Sequence, residues 1–304
     1  MNTLIIKLNA TGDVVRTTTL LHVLPGEVTW ITARDNLPLL QGIADGLRSV
    51  AWEDRALAMD RSYDLLINLE DELDTAAFAE GIRTSRRFGA ILAGDDGVGY
   101  TDDARGWFDM SLISVHGRQR ADEIKYRNRK SYQELVFSGL GRPFDGETYL
   151  LPEPLDAGLH GDVAVAPVAG PVWPMKNWAF YDEAMQRLTS EGFRVNVLPR
   201  RQSLLEHLGD IRNHRCLLSG DSLPMHFALG LGIPCVTIFN CTSPWEIHDY
   251  GLQTKVISPL LGEFFYKRGR DPRATAAVTV DDVVDAVRAK IDGPEQELRR
   301  AGRA

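Results

Sequence analysis

Short apolar runs alternate with amphipathic stretches along most of the chain. Runs at 4–8, 28–32 and 64–69 are bounded by polar or turn-forming residues and predict buried strands. Between and after them, 13–23, 36–45 and 73–80 have helical spacing. Residues 93–103 hold Gly94, Gly97, Gly99 and four aspartates, which predicts a loop. A helix is expected over 129–140. Pro143, Pro152 and Pro154 then mark a linker, with the boundary near residue 155. A second alternation follows. Its predicted strands are 162–167, 194–198, 216–218, 235–239 and 255–257, and its predicted helices are 178–190, 203–208, 224–231 and 280–291. Thr279 is the expected N-cap of the last helix. The final dozen residues are polar and predict a frayed end. Strand–helix alternation of this kind implies α/β architecture, with two doubly wound parallel sheets in domains 1–155 and 156–304. Their strand ends would share a central ligand crevice. The last helix is a candidate for packing back on the first domain.

Composition narrows the function classes. The 304 residues are 44% hydrophobic and 25% charged, ordinary globular values. No apolar run approaches the roughly 18 residues of a membrane span, and the start lacks a signal-peptide core, so a cytoplasmic protein is expected. The net charge of −8 argues against nucleic acid as a partner. Lys125-Tyr126-Arg127-Asn128-Arg129-Lys130 is a local basic run, read as a solvated helix start. Cys216, Cys235 and Cys241 form no C-x-x-C pair, so neither a thiolate zinc site nor a disulfide framework is expected. Cys216 and Cys235 read as core residues; Cys241 reads as more exposed.

Five segments carry candidate chemistry. Asn9-Ala10-Thr11-Gly12-Asp13 joins the first strand to the first helix. Gly12 lets a ligand approach the backbone, while the favoured reading of Asp13 alone is a helix cap. The segment is neither a dinucleotide fingerprint nor a phosphate loop. Ser219-Gly220-Asp221-Ser222-Leu223-Pro224-Met225-His226 joins a strand to a helix opened by proline. Free amides at such a helix start suit phosphate oxygens, Asp221 suits sugar hydroxyls, and a plain capped helix is an equal alternative. Lys176 precedes a helix and suits a diphosphate, or is a surface lysine. Asn240-Cys241-Thr242-Ser243-Pro244 offers hydroxyls, or Ser243 caps a helix. Glu70, Asp71, Glu72 and Asp74 read as a solvated helix start, with acceptor binding as the alternative.

In this order the segments resemble glycosyltransferase family 9, the heptosyltransferase family. The opening Ile5 to Thr18 matches its strand, Gly-Asp turn and Val-Val helix. Gly220-Asp221-Ser222 with Met225-His226, then Gly232-Ile233-Pro234, Val236 to Phe239 and Thr242-Ser243-Pro244, match its most specific run. Pro174, Lys176 and Trp178 match its Pro-x-Lys-x-Trp. The resemblance is weak over 80–125. It implies the GT-B arrangement of two Rossmann-like domains, an N-terminal one for the acceptor and a C-terminal one for the donor. It also implies inverting transfer from a nucleotide-diphosphate sugar, commonly ADP-heptose. Asp13 would be the general base. Lys176 and the backbone of Ser222, Leu223, Pro224 and Met225 would hold the diphosphate in place of a metal, and Asp221 would hold the donor sugar. Thr11, Gly12, His226, Thr242 and Ser243 would line the rest of the cleft, with His226 bracing the loop.

Three departures stand out. Leu223 replaces a family glycine, the stretch between the strands at 195 and 216 is short, and residues 258–266 lack the cysteines that hold a metal in some relatives. No metal and no resident cofactor are therefore expected, and a monomer is. The acceptor is either a lipopolysaccharide core or a soluble small molecule. The net charge and the acids at 70–74 favour a soluble, amine-bearing one. A sugar-nucleotide epimerase or a non-catalytic nucleotide-sugar sensor is the alternative function.

Overall fold

The computed structural model describes residues 1–94, 97–107 and 109–293. The chain divides into two units: Met1–Pro152 together with Trp245–His248, and Glu153–Pro244 together with Asp249 onward.

The first unit contains strands β1 (Asn2–Ile6), β2 (Glu27–Thr32), β3 (Leu47–Ala51), β4 (Ser62–Tyr63), β5 (Leu65–Asn68), β6 (Arg83–Thr84), β7 (Arg87–Leu92) and β8 (Val98–Tyr100). Its helices are α1 (Thr11–Thr17), α2 (Leu37–Leu40), α3 (Leu73–Glu80), α4 (Asp109–His116), α5 (Arg118–Arg127) and α6 (Tyr132–Gly139). The main sheet runs β3-β2-β1-β5-β7-β8. All its pairings are parallel except the β7–β8 hairpin. Leu4 and Ile6 pack with Ile31, Val50 and Leu66, while Ile5 packs with Trp30, Ile67 and Phe88. Burial on both faces is why β1 and β5 are continuous apolar runs.

Several expectations change here. The first helix ends at Thr17 and continues as a 3-10 turn over Thr18–His22. The helix expected over 36–45 contracts to α2, and the chain then turns at Gly42, whose φ of 68° favours glycine. That turn leads into β3, which the sequence had not predicted. The loop expected over 93–103 contains β8; its Asp95 and Asp96 lie outside the described residues. Helices α4 and α5 are also new. α5 buries only Ala121 and Lys125, so it has no apolar stripe to read. Lys125 therefore lies buried in the last turn of a helix, not at a solvated helix start. α6 begins instead at a capping box, in which Glu134 N–H donates to Ser131 Oγ at 3.3 Å and Ser131 N–H donates to Glu134 at 2.6 Å.

The second unit contains β9 (Val163–Ala166), β10 (Val195–Val197), β11 (Cys216–Gly220), β12 (Cys235–Phe239) and β13 (Gln253–Ile257). Its helices are α7 (Tyr181–Ser190), α8 (Leu204–Arg212), α9 (Leu223–Gly230), α10 (Leu261–Phe264), α11 (Pro272–Thr275) and α12 (Val280–Asp292). The sheet order β10-β9-β11-β12-β13 is parallel throughout. Thr279 caps α12 as expected, accepting from Asp282 N–H at 3.2 Å. The buried face of α12 (Val283, Val284, Val287, Ile291) belongs to the core of its own unit. The frayed end expected of the final dozen residues falls on 294–304, outside the described residues.

Cys241 is buried like the other two cysteines, correcting the expectation of exposure, and burial pushes its thiol up to about 11. No helix forms between β12 and β13: residues 241–250 make bends and turns, so Ser243 caps nothing and is buried. Within that stretch the chain rejoins the first unit. Tyr132 N–H donates to the Glu246 carbonyl at 2.9 Å. The Arg129 guanidinium lies 3.6 Å from the centre of the Trp245 ring. Among the described residues, no helix is long and apolar enough to cross a membrane.

Candidate active site

In the first unit, the loops after β1 and β5 meet the starts of α1 and α6. This is the point in the strand order where the chain reverses direction across the sheet, the usual place for a ligand. A cavity of about 120 Å³ lies there, lined by Lys7, Asp13, Arg16, Glu70, Trp107 and Tyr132 among others. Asp13 sits in the first turn of α1, and Ala10, not Asp13, is the N-cap residue. The favoured cap reading of Asp13 is thus corrected. Its carboxylate faces Arg16, with Oδ1 2.9 Å from Nη2. Arg16 is itself buried and lies 3.8 Å over the Tyr132 ring. The Tyr132 hydroxyl shares a 2.8 Å hydrogen bond with Thr17 Oγ1. Burial opposes the charge on Arg16. The Asp13 carboxylate, with Tyr132 and Glu246, outweighs it and raises the guanidinium above its usual range.

Glu70 holds the β1–α1 loop in place. Its Oε1 accepts from Lys7 Nζ at 2.8 Å, Leu8 N–H at 2.6 Å and Asn9 N–H at 3.1 Å. Lys7 also donates to the Asn9 carbonyl. Burial works against the Lys7 charge, but Asp13 and Glu70 overcome it and hold the ammonium above its usual range. The acid run therefore divides: Glu70 is an internal tether, correcting the solvated helix start, while Asp71 and Glu72 are exposed. Thr11 Oγ1 donates to Asn36 Oδ1 at 2.9 Å, and Asn36 Nδ2 donates to the Leu8 carbonyl at 2.7 Å. Gly12 is the second residue of α1.

In the second unit, the loops after β9, β11 and β12 converge. Lys176 ends a 3-10 turn, Pro174–Lys176, and Asp221 follows β11. Lys176 Nζ lies 2.7 Å from Asp221 Oδ2 and donates to the Asp221 carbonyl at 2.9 Å. Thr242 Oγ1 donates to the same carboxylate at 2.7 Å. Burial alone would raise the Asp221 carboxyl. The Lys176 charge, helped by His226 and Thr242, holds it at about 2. The sequence assigned Lys176 and Asp221 to different parts of a ligand; here they are bonded to each other. An ammonium has three N–H donors, and the Asp221 carboxylate and carbonyl engage two. Gly220 permits the contact: a Cβ there would lie 2.9 Å from the Lys176 carbonyl oxygen.

Helix α9 starts at Leu223, with Ser222 as N-cap residue and Pro224 in the first turn. Ser222 Oγ donates to the Gly220 carbonyl at 3.2 Å instead of capping the helix. Pro224 has no N–H, and Met225 N–H donates to the Ser222 carbonyl at 3.0 Å. Of the four backbone positions expected to hold the diphosphate, Ser222 and Leu223 remain as N–H donors. His226 is buried on α9. Sequence reasoning placed Asn240 in a candidate segment but gave its side chain no role. It directly follows β12, is buried, and both polar atoms of its amide lack a hydrogen-bond partner among the described residues, as does Ser243 Oγ. The signal was a polar residue at the carboxyl end of a central strand. Sequence reasoning missed Arg16 and Tyr132.

No known family model matches the chain, and no curated protein does. Solved structures do. Escherichia coli heptosyltransferase WaaC with ADP-2-deoxy-2-fluoro heptose is 16% identical, with a TM-score of 0.60 over 94% of this chain and 98% of that one. E. coli ADP-heptose lps heptosyltransferase II is 16% identical, with a TM-score of 0.61 over 98% and 100%. A glycosyl transferase family 9 protein from Veillonella parvula is 15% identical, with a TM-score of 0.62 over 95% and 97%. Nearly full coverage of both chains with so little identity is a shared fold: this polypeptide, two doubly wound α/β units in sequence, has the GT-B fold of the heptosyltransferases.

Proposed function

We propose that the protein is an inverting, metal-independent glycosyltransferase that moves a heptose from ADP-heptose to an acceptor hydroxyl. The observation that carries this reading is the Lys176–Asp221–Thr242 set beside the start of α9. It gathers a cation, two backbone amides and hydroxyl groups at the carboxyl ends of three adjacent strands. The same fold in WaaC accompanies an ADP-sugar.

In this reading the second unit binds the donor. The third Lys176 N–H and the amides of Ser222 and Leu223 meet the diphosphate oxygens, which supplies positive potential without a divalent ion. Asn240 and Ser243 gain partners from the bound donor. The first unit supplies Asp13. Its carboxylate takes the acceptor hydroxyl proton as that oxygen bonds to the anomeric carbon. The bond from the anomeric carbon to the diphosphate oxygen breaks, its electron pair leaves with ADP, and a single displacement inverts the anomeric configuration.

The test is Asp13→Asn assayed with ADP-heptose against glycoside acceptors, in buffer containing a chelator. Turnover should fall by about 10²–10⁴-fold, the usual worth of a general base, while ADP affinity stays within twofold. Retained turnover would remove Asp13 as the base, and activity lost to the chelator would remove metal independence.

A further inference from the structure

The cavity beside Asp13 has a chemistry of its own. One wall is aromatic, from Tyr100, Trp107 and Tyr132. Trp107 and Tyr132 meet edge to face with centroids 6.0 Å apart, which fixes the wall. The lining also carries three acids, Asp13, Glu70 and Asp71. Both cations in the lining are paired internally, Lys7 with Glu70 at 2.8 Å and Arg16 with Asp13 at 2.9 Å. Asp71 is exposed and makes no ion pair among the described residues. The described lining thus carries one more acid than bases, and its uncompensated charge is negative.

We propose that this cavity takes one ring of an amine-bearing sugar acceptor, its apolar face against Tyr100 and Trp107 and its ammonium at Asp71. This rests on the glycosyltransferase reading and names the acceptor class for it. At about 120 Å³ the space is well below the roughly 300–1,000 Å³ of pockets that enclose a whole ligand, so it fits a single ring. A carboxylated sugar would need a cation of its own, and using Lys7 or Arg16 would strip a partner from Glu70 or Asp13. A neutral ring satisfies the aromatic wall and leaves Asp71 without a partner. An ammonium satisfies both, through a charge-assisted hydrogen bond to Asp71 and attraction to the ring faces.

Direct binding tests this without any transfer reaction. Methyl glucoside, methyl glucuronide and the methyl aminoglucosides with the amine at C2, C3 or C6 are titrated against the full chain, followed by NMR. At neutral pH at least one amino isomer should bind about tenfold more tightly than the glucoside, and the glucuronide least tightly. Asp71→Asn should shrink the amino advantage to below twofold; Asp71 is exposed, so this variant keeps the fold. Trp107→Leu should weaken the neutral and amino rings alike. No amino isomer outperforming the glucoside, tighter binding of the glucuronide, or an amino advantage that survives Asp71→Asn overturns the inference. Failure of the glycosyltransferase reading shows separately, as absent ADP-heptose binding or absent transfer with these rings bound.

Discussion

Arg16 Nη2 lies 2.9 Å from Asp13 Oδ1 while the same guanidinium rests 3.8 Å over the ring of Tyr132. The proposed base is thus held by a cation that is itself clamped against an aromatic face. Lys7 adds a second positive charge, and Glu70, Glu246 and the Tyr132 and Tyr149 phenols are the other ionisable groups around the pair. A nearby cation favours the ionised carboxylate, so removing it makes the carboxylate harder to ionise. Arg16→Met should therefore move the acid limb of the kcat/KM profile to higher pH by about one unit. Arg16→Lys should restore most of the shift, because it keeps the charge and loses only the stacked plane. A limb that stays put in Arg16→Met would leave the arginine a purely packing role.

Asp221 and Lys176 make stability depend on acidity. The folded carboxyl titrates at about 2 against an ordinary 3.8, so its contribution is complete above pH 4 and is lost as pH falls toward 2. Linkage puts that contribution at about 2 kcal/mol at neutral pH. Asp221→Asn should be less stable by about that much at pH 7, with the gap narrowing between pH 4 and pH 2. Denaturant titrations at both ends of this range check it, and a gap independent of pH would contradict the ion pair.

Glu70 is a different kind of acid. Three donors from Lys7, Leu8 and Asn9 converge on one of its oxygens, and the loop they hold carries the chain into α1 and Asp13. Glu70→Ala strands a buried ammonium, a loss of about 3 kcal/mol on the scale of broken buried pairs. Calorimetry should show that loss. Turnover should fall as well, while ADP affinity is unchanged, because the proposed donor site lies in the other unit.

Asn240 tests the opposite logic. A buried amide with no partner costs about 1–3 kcal/mol, so an apolar residue of similar shape relieves the protein alone. Asn240→Leu should keep or raise Tm and weaken ADP-heptose binding by about tenfold. A variant that binds the donor normally would show that the amide serves no ligand.

The sequence made β1, β2, β5, β9, β11 and β12 legible because strands buried on both faces are plain apolar runs. It did not reveal β3, whose Leu47, Arg48 and Ser49 are only half buried, nor α5, whose inward residues include a lysine. Asp13 and Asp221 were legible because each lies in a strand-to-helix connection or at its end, and Lys176 because it sits in a Pro-x-Lys-x-Trp stretch ahead of a helix. Their partners were not. Arg16 reads as a helix-surface residue until Tyr132, far along the chain, supplies the ring that buries it. Glu70 reads as one acid among several until the fold turns it toward Lys7. Local pattern reports which strand end a residue occupies; charge pairing depends on what the rest of the chain brings there.

The brief return of Trp245–His248 to the first unit has a consequence for recombination. The segment supplies a ring to Arg129 and a backbone acceptor to Tyr132, the residue whose ring also lies against Arg16. A hybrid joined at residue 152 would import these four residues from a foreign sequence and leave the first unit incomplete. Exchanging whole units between related proteins of this fold therefore requires two further junctions around 245–248, and a single crossover would leave Tyr132 and Arg129 with foreign partners.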